Sequence, residues 1–261
     1  MSLEQLFGTL DGKVVVVTGA GGGIGVASCA AFRQAGATVV ATDLDPSAAA
    51  RVDADHVVVA DLTEPETCEA LLDGVVERFG RLDVVHGNAG INVPGRPHSY
   101  SIADYRKVVG VCQDANFWLV RSGVRHMRQE GGVFVFTSSI CGIGALPRSP
   151  VYNMAKHALV GLAQSVALDY GSQGIRGVAV MTGPTTTPMI DQLWGPPEGP
   201  MRRALVDVTS VGRFAEAEEI ARAVVFAALP GSAYLTGCAL TVDGGATAGW
   251  NTVRAGMTGL A

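Results

Sequence analysis

Short valine-rich runs alternate with longer helix-like segments along most of this chain. The runs are nearly continuous, without polar and apolar alternation, which is typical of strands covered on both faces. Such strand–helix alternation predicts an α/β fold, a doubly wound parallel sheet of about seven strands with helices on both faces. We predict strands at 13–18, 37–43, 56–60, 82–86, 132–137, 175–181 and 238–242. Helices are predicted near 23–35, 64–79, 101–129, 150–172 and 216–229.

The composition fits one large buried core. Of the 261 residues, 48% are hydrophobic and only 16% are charged, which predicts a single domain over 1–261. The segment between the second and third strands leaves room for about two turns of helix. Proline and glycine break the pattern at 189–212. A long irregular segment near the ends of strands predicts a lid over a site. A plain surface loop at 189–212 is the alternative interpretation.

Several functional classes are disfavoured by charge and composition. The formal net charge is −5 and no basic run exists, so we expect neither a nucleic-acid nor an anionic-membrane partner. The apolar stretches are too short to span a bilayer, and the first residues lack the features of a secretory signal. Five cysteines are scattered singly, which predicts reduced thiols, no metal site and a cytoplasmic location.

A glycine-rich turn follows the first predicted strand in "VVVVTGAGGGIG". Gly19, Gly23 and Gly25, with Ile24 between the last two, lie where the strand gives way to a helix. A backbone that turns sharply toward a pyrophosphate needs residues without a Cβ, and a helix N-terminus offers free N–H groups to phosphates. Because the strand and helix flank the glycines as this motif requires, the turn predicts a dinucleotide site.

Asp43 ends the second predicted strand, and Leu44 follows it. A carboxylate there can accept hydrogen bonds from both ribose hydroxyls and would repel a 2′-phosphate, which favours NAD over NADP. Asp43 could instead cap the following short helix, although Asp45 is better placed for that. Asp61 and Leu62 end the third strand, where an adenine edge could rest; capping of the next helix is the alternative for Asp61.

The order of several motifs resembles the classical short-chain dehydrogenases/reductases. These motifs are the glycine turn, "NAG" at 88–90, "SS" at 138–139, YxxxK at 152–156 and "YLTGCALTVDGG" near the end. The resemblance runs from about Lys13 to Gly245. It implies a single-domain Rossmann fold, a nicotinamide cofactor and a homotetramer. It also implies cofactor contacts from Asn88, Ala89, Gly90, Gly183, Thr185 and Thr187, with neighbouring Thr186 leaving the threonine assignment open.

The same resemblance makes Tyr152 the general acid/base, with Lys156 and Ser139 in support. A free tyrosine has a pKa of about 10, which is too high for an efficient base. Lys156 lies one helical turn along, so its ammonium, with the positively charged nicotinamide nearby, is predicted to lower that pKa. Lys156 is also predicted to hold the ribose hydroxyls of the cofactor. Ser139 would hydrogen-bond the substrate oxygen. Ser138 is the alternative serine, and its spacing to the tyrosine fits less well.

Three positions depart from the family pattern. Cys112 stands where the family has a catalytic asparagine whose helix kink presents a backbone carbonyl to a water, and cysteine cannot replace that asparagine's side-chain hydrogen bonds. Asn116 could supply an amide or could simply pack in the core. Gly87 replaces a usual asparagine, and Thr182 replaces a usual proline.

These features predict an NAD-dependent enzyme that interconverts a secondary alcohol and a ketone on a medium-sized apolar or alicyclic substrate. The alternative is an NAD-binding sensor or scaffold with impaired turnover. Enoyl reduction is disfavoured, since tyrosine and lysine are more widely spaced in those relatives. Solvent exposure is favoured for Arg96, His98 and Arg148, and a structural role for His56, His86, His126 and His157. The predicted substrate wall comprises Ile91, Ile143, Leu146, Val151, Met189, Leu193 and Trp194.

Overall fold

A computed structural model of the chain describes residues 3–196 and 198–249. Residues 250–261 of the predicted domain lie outside this described part. Seven parallel strands form one sheet in the order β3-β2-β1-β4-β5-β6-β7, which confirms the predicted doubly wound Rossmann fold. The strands are β1 Val14–Thr18, β2 Thr38–Asp43, β3 His56–Val59, β4 Val84–Gly87, β5 Gly132–Ser139, β6 Ile175–Thr182 and β7 Cys238–Val242.

Helices connect the strands and add a short N-terminal turn. A π-helical turn, Gly110–Asp114, joins α5 to α6 without a break in the chain direction. The α-helices are α1 Leu3–Phe7, α2 Gly23–Gln34, α3 Pro46–Ala49, α4 Pro65–Phe79, α5 Ile102–Val109, α6 Ala115–Met127, α7 Pro150–Tyr170, α8 Pro188–Trp194, α9 Pro200–Asp207 and α10 Ala217–Ala228.

The sheet is covered on both faces by helices, as the valine-rich strands require. One face packs against α4, α6 and α7, where Leu72, Leu119 and Leu159 are almost fully buried. The other face packs against α2 and α10, where Phe32 and Ile220 are completely buried. Burial of large apolar side chains on both faces provides the main driving force for this fold.

Local sequence signals explain several helix boundaries. Pro65 occupies the first turn of α4, and Gly80 ends that helix with a left-handed φ of 78°. Asp45 accepts a hydrogen bond from the N–H of Ser47 at 2.8 Å, so Asp45 rather than Asp43 caps α3. Glu219 accepts the N–H of Glu216 at 2.9 Å at the start of α10.

The structure differs from the sequence prediction in three places. The helix predicted over 101–129 is interrupted by the π-helical turn, and α3 has a single turn rather than two. The irregular excursion predicted at 189–212 contains α9 and most of α8, because Pro188 and Pro200 each start a helix. No helix of the described chain combines the length and the apolar character needed to cross a membrane.

Candidate active site

A cleft of about 680 Å³ lies at the carboxyl ends of the strands. Between β1 and β4 the strand order reverses direction, which is where ligands bind in open α/β sheets. The glycine turn forms one wall, and β5, α7 and α8 form others. The cleft brings together nearly all predicted site residues: Gly19, Gly23, Ile24, Asp43, Leu44, Asp61, Leu62, Asn88, Ala89, Gly90, Ser139, Tyr152, Lys156, Gly183, Thr185 and Thr187.

The glycine turn leaves no room for side chains. Gly19 has a left-handed φ of 58°, and a Cβ on it would lie 2.8 Å from the Cα of Ala89. A Cβ on Gly23 would lie 2.9 Å from a methyl carbon of Thr187. Gly25 is the one predicted cofactor-binding residue that does not line the cleft. It is buried, and a Cβ there would meet the backbone of Gly19 and Ala20, so it serves the packing of α2 on β1.

The carboxylate of Asp43 is fixed at the edge of the cleft. One oxygen accepts the N–H of Gly21 at 2.9 Å and the other accepts the N–H of Asp45 at 3.1 Å. These bonds tie β2 to the glycine turn and leave further lone pairs on the carboxylate. Asp61 accepts from the N–H and the hydroxyl of Thr63 at 3.0 and 2.7 Å, which is a local turn rather than the cap of α4.

Asn88 connects the glycine turn to the centre of the sheet. Its side-chain amide donates to the main-chain oxygens of Thr18 at 3.0 Å and Gly19 at 3.1 Å. Its side-chain oxygen accepts from the Thr137 hydroxyl at 3.1 Å. The Thr137 hydroxyl also pairs with Nε2 of His86 at 2.9 Å. Asn88 is therefore held by three groups and fixes the turn relative to β5.

β5 ends in two serines, Ser138 and Ser139, whose hydroxyls have different partners. Ser138 is buried and donates to the main-chain oxygen of Lys156 at 2.9 Å, so its hydroxyl serves the packing of α7. Ser139 lines the cleft, accepts the N–H of Cys141 at 3.2 Å and lies beside the phenol of Tyr152. The arrangement brings Ser139 and Tyr152 together, as the sequence prediction requires.

Lys156 follows Tyr152 by one turn on the same face of α7. Its side chain is only 2% exposed, and its Nζ lies 5.3 Å from the centroid of the Tyr152 ring. Nζ donates to the main-chain oxygen of Thr137 at 2.6 Å. Burial lowers the pKa of Lys156. A Cβ placed on Gly90 would lie 3.4 Å from Nζ, so the glycine gives the ammonium access to the cleft.

Tyr152 lies on α7 near the thiols of Cys112 and Cys141. Burial raises its pKa above the ordinary value, the two thiols add to this, and Ser139 opposes it. The predicted lowering, which combines Lys156 with a bound nicotinamide, stays a prediction.

Two of the departures from the family pattern, Cys112 and Thr182, and the nearby Asn116 have well-defined hydrogen-bond partners. The thiol of Cys112 donates to the main-chain oxygen of Ile91 at 3.2 Å and accepts its N–H at 3.3 Å. Burial raises the pKa of this thiol, which makes Cys112 a buried packing residue rather than a nucleophile. Asn116 donates its amide to the main-chain oxygen of Cys112 at 3.1 Å. Thr182 donates to the main-chain oxygen of Ser138 at 3.3 Å.

The predicted substrate wall is partly right. Five of its residues line the cleft. Ile143 is exposed instead, and Val151 is buried in a small apolar cluster with Cys112. Arg96, His98 and Arg148 are exposed, as predicted. His86 is buried, and its pKa is lowered by burial to about 3. The five lining residues are Ile91, Leu146, Met189, Leu193 and Trp194.

Sequence reasoning missed other parts of the site. Leu205, on α9, lines the cleft, and the sequence offers no signal that separates it from its apolar neighbour Val206. The main-chain oxygen of Thr137 that anchors Lys156 has no sequence signal at all. Within 3–196 and 198–249, no group of three or more His, Cys, Asp or Glu residues could hold a metal ion.

Comparison with known proteins decides the family. A family model described as Enoyl-(Acyl carrier protein) reductase matches residues 19–247. Meso-2,3-butanediol dehydrogenase of Serratia marcescens is 34% identical, over 91% of this chain and 96% of that protein. The chain belongs to the classical short-chain dehydrogenase/reductase family.

One further relative and one solved structure are similar to this short-chain dehydrogenase/reductase over most of its length. Cis-4-hydroxycyclohexanecarboxylate dehydrogenase of Sinomonas cyclohexanicum is 35% identical, over 90% of this chain and 97% of that protein. The crystal structure of 3-ketoacyl-(acyl-carrier-protein) reductase from Brucella melitensis, complexed with NADH, superposes with a TM-score of 0.85. It is 28% identical and covers 92% of this chain and 100% of that one. The short-chain dehydrogenase/reductase described here is an oxidoreductase.

Proposed function

We propose that this protein is an NAD-dependent dehydrogenase that interconverts a secondary alcohol and a ketone. The observation that carries the proposal is the convergence of Ser139, Tyr152 and Lys156 in one cleft with the glycine turn. Dehydrogenase relatives, one acting on a diol and one on a hydroxylated ring carboxylate by their names, support an alcohol as the substrate.

The cleft fits a nicotinamide dinucleotide. A Cβ on Gly19 or Gly23 would fill the space beside Ala89 or Thr187, and the first turn of α2 carries no acidic side chain that would repel a phosphate. Asp43 would hold the adenosine ribose, and its negative charge favours NAD over NADP. Asp61 and Leu62 would face the adenine, and Lys156 the second ribose. Gly183, Thr185 and Thr187 would face the nicotinamide, which accepts hydride from the alcohol carbon when bound.

Tyr152 acts as the general acid/base in this proposal. In the direction of alcohol oxidation, its phenolic oxygen takes the proton from the substrate hydroxyl. Ser139 lines the same cleft beside the phenol and orients the substrate oxygen. Because burial raises the pKa of Tyr152, the positive charge of Lys156 and of the bound coenzyme is needed to offset it.

The shape of the cleft supports a medium-sized apolar or alicyclic substrate. Its outer wall combines Leu146 from the segment after β5 with Met189, Leu193 and Trp194 from α8. Arg202 of α9 forms an ion pair with Asp191 of α8 at 2.6 Å, which holds the two helices together. We propose that α8 and α9 act as a lid on the substrate.

Initial rates across secondary alcohols test this function. The panel contains alicyclic alcohols, linear alcohols and a small hydroxy acid, each with NAD and with NADP. We expect the highest kcat/KM with an alicyclic alcohol and NAD. If the protein binds NAD but oxidises none of these alcohols and reduces none of the matching ketones, the alternative function as an NAD-binding sensor or scaffold is favoured.

Assembly and location are further parts of the proposal. Family membership supports a homotetramer, and exposed apolar side chains on α5, α6 and α7 offer a surface for it, namely Ile102, Phe117 and Leu168. A molar mass from light scattering that matches four chains of 26.9 kDa is the expected result. We also propose a cytoplasmic location, which fractionation of cells tests.

A further inference from the structure

Asn116 is an amide buried in the apolar layer between α6 and the sheet. It is only 2% exposed, and its neighbours Ala115, Leu119 and Val120 belong to the core. Its Nδ2 donates to the main-chain oxygen of Cys112 at 3.1 Å. Its Oδ1 is buried and has no hydrogen-bond partner among the described residues. An apolar residue of this size would avoid the penalty of that buried oxygen, so packing alone does not explain the amide.

Gly87 provides the space that this amide occupies. A Cβ on Gly87 would clash with Oδ1 of Asn116 and lie 3.1 Å from its Cγ, so a side chain at position 87 would have to displace the amide. Gly87 lies within β4 and does not have a positive φ, so its backbone does not require glycine. Glycine in a strand removes packing, and here the Asn116 side chain fills the gap. The unusual residues at 87 and 116 therefore form one coupled feature.

The hydrogen bond from Asn116 ends on the π-helical turn that joins α5 to α6. Such a turn departs from the regular bonding of an α-helix, and the Asn116 amide adds a side-chain donor to one of its main-chain oxygens. The turn places the Cys112 thiol against both main-chain polar groups of Ile91. A Cβ on neighbouring Gly90 would lie 3.8 Å from that thiol and 3.4 Å from Nζ of Lys156.

We propose that Asn116 is a positioning residue for the site. Asn116 stabilises the π-helical turn through its hydrogen bond to the main-chain oxygen of Cys112. The thiol of Cys112 in turn fixes Ile91 and the loop at 88–91. Gly90 of this loop lies beside the ammonium of Lys156. The proposal rests on the proposed function, because Lys156 matters there as the partner of Tyr152. Asn116 itself touches neither substrate nor cofactor, and Gly87 is required for its place.

Asn116→Leu tests the role, because leucine has a similar size and lacks the donor. We expect kcat to fall about tenfold, the change in rate that corresponds to one lost buried hydrogen bond. The pH dependence of kcat should shift, since Lys156 loses its fixed surroundings. The control is Val120→Ala, a truncation at a buried position one turn further along α6, which lowers stability and leaves the pH profile in place.

A second readout does not depend on turnover. In Asn116→Leu the Cys112 thiol should react with iodoacetamide about tenfold faster, measured by mass spectrometry of its peptide, because the turn opens more often. If Cys112 labelling and the pH profile both match the wild-type protein, the positioning role is wrong. If Cys112 labelling rises while no alcohol is oxidised even by the wild-type protein, Asn116 holds the turn and the proposed function is what fails.

The coupling to Gly87 has its own test. Gly87→Ala should lower kcat and speed Cys112 labelling as Asn116→Leu does, because the new methyl displaces the amide. Adding Asn116→Ala to Gly87→Ala removes the clash, so the double variant should be no worse than Asn116→Ala alone. Effects that multiply in the double variant contradict the coupling.

Discussion

The ammonium of Lys156 donates a hydrogen bond to the main-chain oxygen of Thr137 at 2.6 Å. Thr137 lies in β5 and its hydroxyl also donates to Asn88, so one strand residue connects the lysine to the glycine turn. The ammonium of Lys156 is thus held by this hydrogen bond to β5, and it also lies against the ring of Tyr152. This arrangement places a buried positive charge where a phenolate can form, and it has a measurable effect on stability.

Lys156→Met should abolish turnover and stabilise the fold. Burial lowers the pKa of Lys156 in the folded state, so the unfolded chain binds its proton more tightly and the charge destabilises the fold at neutral pH. We expect the free energy of unfolding at pH 7 to rise by about 1 kcal/mol or more. The gain should shrink as pH rises toward the ordinary lysine pKa, which urea denaturation at pH 7 and pH 9.5 measures.

The matched control for that experiment is Lys13→Met. Lys13 is partly exposed and forms an ion pair with Asp83 at 3.1 Å, so its replacement should bring no gain in stability. A stability gain for Lys156→Met that is equally large at both pH values contradicts the account of a buried charge.

His86 should make the fold sensitive to acid. Burial lowers its pKa to about 3, so the folded protein resists protonation while the unfolded chain accepts a proton below its ordinary pKa of 6.5. Stability is lost as pH falls through this window, by about 3 kcal/mol at pH 4 from this group. His86→Leu should flatten the dependence of unfolding free energy on pH between 6.5 and 4. The exposed His157 is the control, and a His86→Leu slope equal to that of His157→Leu refutes the prediction.

Asp43→Asn should relax the coenzyme preference. Asparagine keeps an acceptor for the N–H of Gly21 and removes the charge that disfavours a 2′-phosphate. We expect the ratio of kcat/KM for NAD over NADP to fall about tenfold or more, which corresponds to roughly 1.4 kcal/mol. Asp53→Asn makes the same change in net charge at an exposed position and should leave the ratio unaltered. An unchanged ratio in Asp43→Asn removes Asp43 from its proposed role.

Trp194→Ala should reduce activity on bulky substrates selectively. Trp194 lines the cleft from α8, and losing its apolar surface weakens the binding of a ring by about 1–3 kcal/mol. We expect kcat/KM for an alicyclic alcohol to fall roughly ten- to a hundredfold, and that for a small alcohol to change little. Ile143→Ala is the control, because Ile143 is exposed and lies outside the cleft. Equal losses on both alcohols would show that Trp194 does not form the substrate wall.

Most of the fold could be predicted because its signals are local. Each valine-rich run is long enough to identify a strand, and Pro65 and Asp45 mark helix starts by their own chemistry. Asp43 could be placed in the cleft because the end of a parallel strand fixes its position relative to the neighbouring turn.

The remaining features depend on contacts between distant segments. Nothing in the sequence distinguishes Ile143 from Leu146, since the course of their loop decides which one faces the cleft. Asn116 packs beside Gly87, which lies on another element, and the sequence does not show that these two residues meet. The raised pKa of Tyr152 depends on how deeply α7 is buried, which composition does not show.

The most direct test of the proposed function is Tyr152→Phe, measured for coenzyme binding and for turnover in the same preparation. We predict that the variant binds NAD with a Kd close to that of the wild-type protein, because Asp43 and the glycine turn are intact. Its kcat for alcohol oxidation should fall at least about a hundredfold, the lower range for losing a general base. Oxidation of a secondary alcohol at the wild-type rate by Tyr152→Phe would contradict the role of its phenol.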